Sequence, residues 1–159
     1  MKKLMLLLVL ILIGSWAFGQ GFVSTSFSFG FATQMGGGYS ETWPAICFDA
    51  SFVSRFGLEL CLAEVTTFKI GTALLSSTGF GLGYAYTNPG RNFTIDGAFM
   101  YMPINIYNDE VADVPIFGAK AGFTYWFSDV GISALFNFLK MMDSEFNILS
   151  LRAAISIRI

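Results

Sequence analysis

Six charged residues stand on the small-residue face of segments that otherwise alternate greasy and small: Asp49, Glu59, Asp96, Lys120, Arg152 and Arg158. Three acids and three bases brought into one narrow interior would have to pair, because an isolated buried charge is strongly disfavoured. Paired, they would form a salt-bridge plug; lining a wet path, they would carry ions or solutes. Asp49 with Glu59 could formally serve as a carboxylate acid–base pair. The chain has no histidine, however, which removes histidine triads, bases and metal ligands. No enzymatic activity, metal or cofactor is expected.

Cys47 and Cys61 fall on the same face of consecutive segments. A three-residue turn at Val53–Arg55 would set them directly opposite, within disulfide reach. A five-residue turn ending at Gly57 would offset them by two, leaving two small buried thiols. Two cysteines fall short of the roughly four ligands of a structural zinc site. Gly79, Gly81 and Gly83 have the wrong spacing for a phosphate loop. Their period of two is that of a strand face, where they make room for neighbouring side chains. Asp109, Glu110 and Asp113 read as a solvated acidic loop.

The elements that must position these residues are strands. From Leu149 to Ile159 the odd positions are all apolar, and the even ones carry Ser150, Arg152, Ala154, Ser156 and Arg158. Side chains alternate between faces along a strand, so this is one two-faced β-strand. Seven earlier stretches repeat the pattern: Gly21 to Thr33, Trp43 to Phe52, Gly57 to Thr67, Gly79 to Thr87, Phe93 to Pro103, Ile116 to Phe127 and Ile132 to Leu139. Trp126 falls on the small face and is expected at an interface; Leu135 sits poorly there. Connections alternate in length. Gln34–Thr42, Phe68–Thr78, Ile104–Pro115 and Lys140–Asn147 are long, while Ser54–Arg55, Asn88–Asn92 and Ser128–Gly131 are short. Phe68–Thr78 reads either as a loop or as two strands extended beyond a membrane.

Composition decides what the greasy face meets. The chain has 159 residues, enough for one domain, and is 54% hydrophobic, 17% aromatic and only 13% charged. An average soluble domain carries about 25% charged residues. Apart from the N-terminus, no run approaches the roughly 20 apolar residues of a membrane helix, whereas about 9–11 residues of tilted strand cross a bilayer. Eight strands enclose a lumen barely wide enough for its own side chains, so the small face points inward and Phe, Leu, Ile and Tyr point to lipid. Tyr84, Tyr86, Phe93, Tyr125 and Phe127 cluster near the short turns, as an aromatic girdle would. Residues 1–19 read as a cleaved signal peptide: Lys2 and Lys3, an apolar core from Leu4 to Ile13, and a cut between Gly19 and Gln20. The rest would hold seven basic against eleven acidic residues, a balance that argues against nucleic acid. The expected architecture is all-β: an eight-stranded antiparallel up-and-down transmembrane β-barrel over residues 20–159.

On these features the chain resembles the small outer-membrane proteins of the OmpA, OmpX and OmpW type. Members commonly end in an aromatic residue read by the outer-membrane assembly machinery; this chain ends in Ile159. The resemblance implies insertion in the outer-membrane lipid of a diderm bacterium, with termini in the periplasm. The expected role is structural or surface-interacting, through extracellular loops that meet extracellular partners. Passage of small apolar solutes or ions, as in OmpW, is the alternative, and a soluble periplasmic ligand-binding barrel is the second.

Overall fold

The computed structural model describes residues 21–69, 72–107, 110–112, 114–142, 145 and 147–159. The expected signal peptide, with its cut at Gly19 and Gln20, lies outside the described residues, as do Asp109 and Asp113. No helix occurs among the described residues.

Among the described residues nine strands form: β1 (Phe22–Gly36), β2 (Tyr39–Val53), β3 (Leu58–Lys69), β4 (Thr72–Thr87), β5 (Phe93–Tyr107), β6 (Glu110–Ala112), β7 (Ile116–Phe127), β8 (Val130–Met141) and β9 (Asn147–Arg158). All pairings are antiparallel. The three-residue β6 folds back on the end of β5 and stands outside the wall. The remaining eight run β4-β3-β2-β1-β9-β8-β7-β5, and the β4–β5 pairing closes the ring. The chain is thus an eight-stranded up-and-down barrel, and closure leaves the wall no edge to satisfy in lipid.

The two faces sort as the alternation requires. On β9, Arg152, Ala154 and Ser156 are buried while Leu151, Ile155 and Ile157 are exposed. Phe27, Phe29, Phe31, Leu82 and Phe136 are exposed on the outer wall, and Phe99 reaches 81% exposure. Inside, large side chains lie opposite small ones. Met100 pairs with Gly81 on one side and Gly118 on the other, and Gly118 also faces Leu139. A Cβ at Gly81 would run into Met100 and Cys61, and one at Gly118 into Leu139. The glycines make the room that the lumen side chains fill.

The loop-end connections differ from expectation. Gln34–Thr42 is a continuation of β1 and β2, which stay paired to Gly36 and Tyr39. The turn is Gly37–Gly38, with φ of 57° and 78° at the two residues, the positive-φ pair that a two-residue hairpin of matching twist demands. β3 and β4 also stay paired out to Lys69 and Thr72, so the described residues of Phe68–Thr78 belong to extended strands. β5 runs to Tyr107, past the expected end at Pro103. Strands of 12–16 residues exceed what a bilayer needs, so hairpins project beyond the apolar band at that end. At the other end Ser54 N donates to Leu58 O at 2.8 Å, closing a three-residue turn at Arg55, Phe56 and Gly57, with Gly57 at φ 87°.

Candidate functional site

The lumen is the part of the molecule where polar chemistry is concentrated. Pairing register explains how its charges meet. Lys120 lies opposite Ala98, Ala98 opposite Gly83, and Gly83 opposite Glu59. Two near-absent side chains separate the cation from its partner, so Lys120 reaches across them. Its Nζ donates to Glu59 Oε1 at 3.0 Å and lies 3.5 Å from Asp96 Oδ2. Ser51 Oγ donates to the same Glu59 oxygen at 2.6 Å. Asp96 faces Gly122, where a Cβ would strike its carboxylate. Asp49 accepts from Cys47 Sγ at 3.3 Å. A void of about 20 Å³ touches Asp49, Glu59, Asp96 and Lys120 together, room for one water.

Four of the six expected charges therefore line one void. The other two do not join them. Arg152 is buried at 2% exposure, donates to Ser28 Oγ at 3.2 Å and ion-pairs with none of the described carboxylates. Arg158 has the inward parity but stands at the last position of β9, at the mouth of the barrel. Its guanidinium donates to Ser128 O at 2.8 Å and to Arg91 O at 3.4 Å, and stacks 4.7 Å from the Trp126 ring. Parity alone does not tell how deep in the lumen a residue sits, which is why the sequence grouped them.

The cysteines are both free and buried. Register opposes Cys47 to Val65 and Cys61 to Ser51, because the β2–β3 turn is centred one residue later than the widest expected turn, which moves each cross-strand partner by two. No disulfide joins them; Cys61 Sγ instead contacts Met100 Sδ at 3.4 Å. Trp126, expected at an interface, points inward at 5% exposure and donates from Nε1 to Thr94 Oγ1 at 2.9 Å. Leu135 does sit inside, at 4% exposure.

Two features went unread in the sequence. A chain of hydroxyls crosses four strands near the short-turn end: Thr124 to Ser133 at 2.7 Å, Ser133 to Ser156 at 2.6 Å, and Ser156 to Ser26 at 2.7 Å. An apolar cluster fills another part of the lumen, built from Met100, Met102, Ile116, Leu139 and Ile148 with the two cysteines. Both occupy inward positions of the period-two pattern; the signal was present, but only register reveals which inward residues touch.

No protein-family model matches the chain, and no curated protein sequence matches it either. Several solved structures share its fold. Neisserial surface protein A superposes with a TM-score of 0.67 at 12% identity, over 87% of this chain and 99% of that one. Ail of Yersinia pestis, solved in complex with the heparin analogue sucrose octasulfate, gives 0.63 at 10% identity over 89% and 100%. The N-terminal β-barrel domain of Pseudomonas aeruginosa OprF gives 0.54 at 13% identity over 87% and 100%. At these identities the likeness is one of fold: the small eight-stranded transmembrane barrel of outer-membrane proteins.

Proposed function

We propose that this chain is a non-enzymatic outer-membrane barrel that holds its long hairpins and loops at the cell surface, where they meet partners. The observation that supports this reading is the filled lumen. Among the described residues the Lys120–Glu59–Asp96 cluster and the Met100–Leu139–Ile116 cluster both pack into it, and the void touching the charges is the size of one water. A barrel packed in this way is a rigid stake. Above it stands the loop end, where β1–β2, β3–β4 and β5–β6 project and where Asp109, Glu110 and Asp113 fall in sequence. The termini and the three tight turns then face the periplasm.

Surface labelling tests the topology. An epitope inserted at Asp109 should be reached by antibody on intact cells, and one inserted at Asn88 only after the outer membrane is permeabilised. The reverse pattern, or release of the protein into the soluble periplasm, would overturn the reading. Planar-bilayer recording tests the lumen: the filled barrel should show no stepwise conductance, whereas an ion path would.

A further inference from the structure

A second polar region lies at the tight-turn mouth, apart from the buried charge cluster. A cavity of about 650 Å³ opens there, within the range of ligand pockets. Three guanidinium-bearing residues line it, Arg55, Arg91 and Arg158, against one acidic side chain, Asp129, and the α-carboxylate of Ile159, the last residue of the sequence. None of the three arginines ion-pairs with a carboxylate among the described residues. Arg158 is the best held. Two carbonyls, those of Ser128 and Arg91, accept from its Nη atoms, and the Trp126 and Phe22 rings lie 4.7 and 5.7 Å from its guanidinium carbon. Carbonyls and rings orient the cation without neutralising it. Arg55 is likewise placed over a ring, that of Phe56, at 4.4 Å.

We infer that this mouth is a binding site for a phosphate ester, with Arg55, Arg91 and Arg158 as its anion-holding side chains. Three guanidiniums without an ion-pair partner outnumber the Asp129 side chain and the Ile159 carboxylate around the cavity and leave it a local positive field, and the planar fork of arginine matches phosphate oxygens two at a time. The walls say which phosphate ester fits. Phe56, exposed in the β2–β3 turn, and Tyr84 and Tyr86, exposed on the outward face of β4, line the same cavity. The cavity therefore reaches the outer wall at Tyr84 and Tyr86, residues of the aromatic girdle expected to meet headgroups. A phospholipid can place its phosphate in the mouth while its chains run down the aromatic wall. A soluble phosphate ester has the same anionic chemistry but leaves that wall unused. The site belongs to the turn end of the barrel whichever leaflet that end faces.

The test uses the full-length protein purified in a neutral detergent, with native mass spectrometry counting what stays bound. The probes are phosphatidylglycerol, diacylglycerol of the same chains, and glycerol 3-phosphate. Phosphatidylglycerol should be retained, and R158Q and the R55Q/R91Q pair should each weaken its retention about tenfold or more, roughly the loss of one charge-assisted contact. Heat-modifiable gel migration checks that each variant is folded; Arg55 and Arg91 sit in exposed turns, so their pair keeps the test valid if R158Q fails to fold. Diacylglycerol should not be retained. Retention of glycerol 3-phosphate lost in the same variants would keep the phosphate site and make its source soluble. Equal retention of phosphatidylglycerol by the wild type and the R55Q/R91Q variant, or equal retention of diacylglycerol, would overturn the proposal.

Discussion

Leu151 and Arg152 are consecutive in the chain and live in different solvents. Leu151 is 66% exposed on the outer wall, whereas Arg152 is at 2% in the lumen. In a water-soluble barrel their surroundings would be exchanged. The comparison extends to the described side chains of the other wall strands. The outer face is uniform and tolerant of which large apolar side chain it carries, because lipid adapts to it. The inner face is specific, because each large or charged residue needs a small one opposite: Lys120 needs Ala98 and Gly83, Met100 needs Gly81 and Gly118, and Asp96 needs Gly122.

This difference predicts unequal responses to substitution. Lys120→Met should have the largest effect. It leaves Glu59, Asp96 and Asp49 around one void without their cation, and removing one partner of a buried pair costs about 3–5 kcal/mol. Denaturant unfolding in lipid vesicles measures it. On the outer face, Phe99→Arg puts a charge where lipid is expected and should cost about 2–4 kcal/mol if Phe99 lies near the bilayer midplane. A neutral result would mean that Phe99 faces water. Gly122→Ala should destabilise by about 1–3 kcal/mol through overpacking against Asp96, whereas the same change at Gly97, where an added Cβ meets nothing closer than 3.7 Å, should be near neutral. That pair compares lumen and wall within neighbouring strands. The smallest effect concerns Cys47 and Cys61. Non-reducing and reducing gels should show the same mobility, because register holds the thiols apart.

Much of the fold was legible because a barrel wall is written in period two, and β9 alone states the rule. Depth and register were not. Arg158 shares the parity of Arg152, and only the ladder shows that it pairs at the level of Ser24, at the mouth. The cysteine expectation turned on the β2–β3 hairpin, where the position of Gly57 at φ 87° shifts every partner by two residues beyond the widest turn considered. The run Gly36-Gly37-Gly38 lies in the long connection expected at Gln34–Thr42, yet glycine is also what a two-residue turn with two positive φ values requires. Composition cannot separate these; the strands that continue on both sides decide. The charge cluster was partly legible: the residues share a face, but Lys120 meets Glu59 only because the two positions between them are nearly empty.

The central claim is the direction in which the greasy face looks, and cysteine scanning of β9 tests it most directly. In a background with Cys47 and Cys61 replaced by alanine, a nitroxide is placed at each position from Leu149 to Ile157 of the protein folded in vesicles. Collision with oxygen, which concentrates in lipid, is then compared with collision by a water-soluble nickel chelate. Oxygen contact should peak at Leu149, Leu151, Ala153, Ile155 and Ile157 and fall between them. A period of two with the opposite phase, or nickel contact on the leucine and isoleucine positions, would contradict the account.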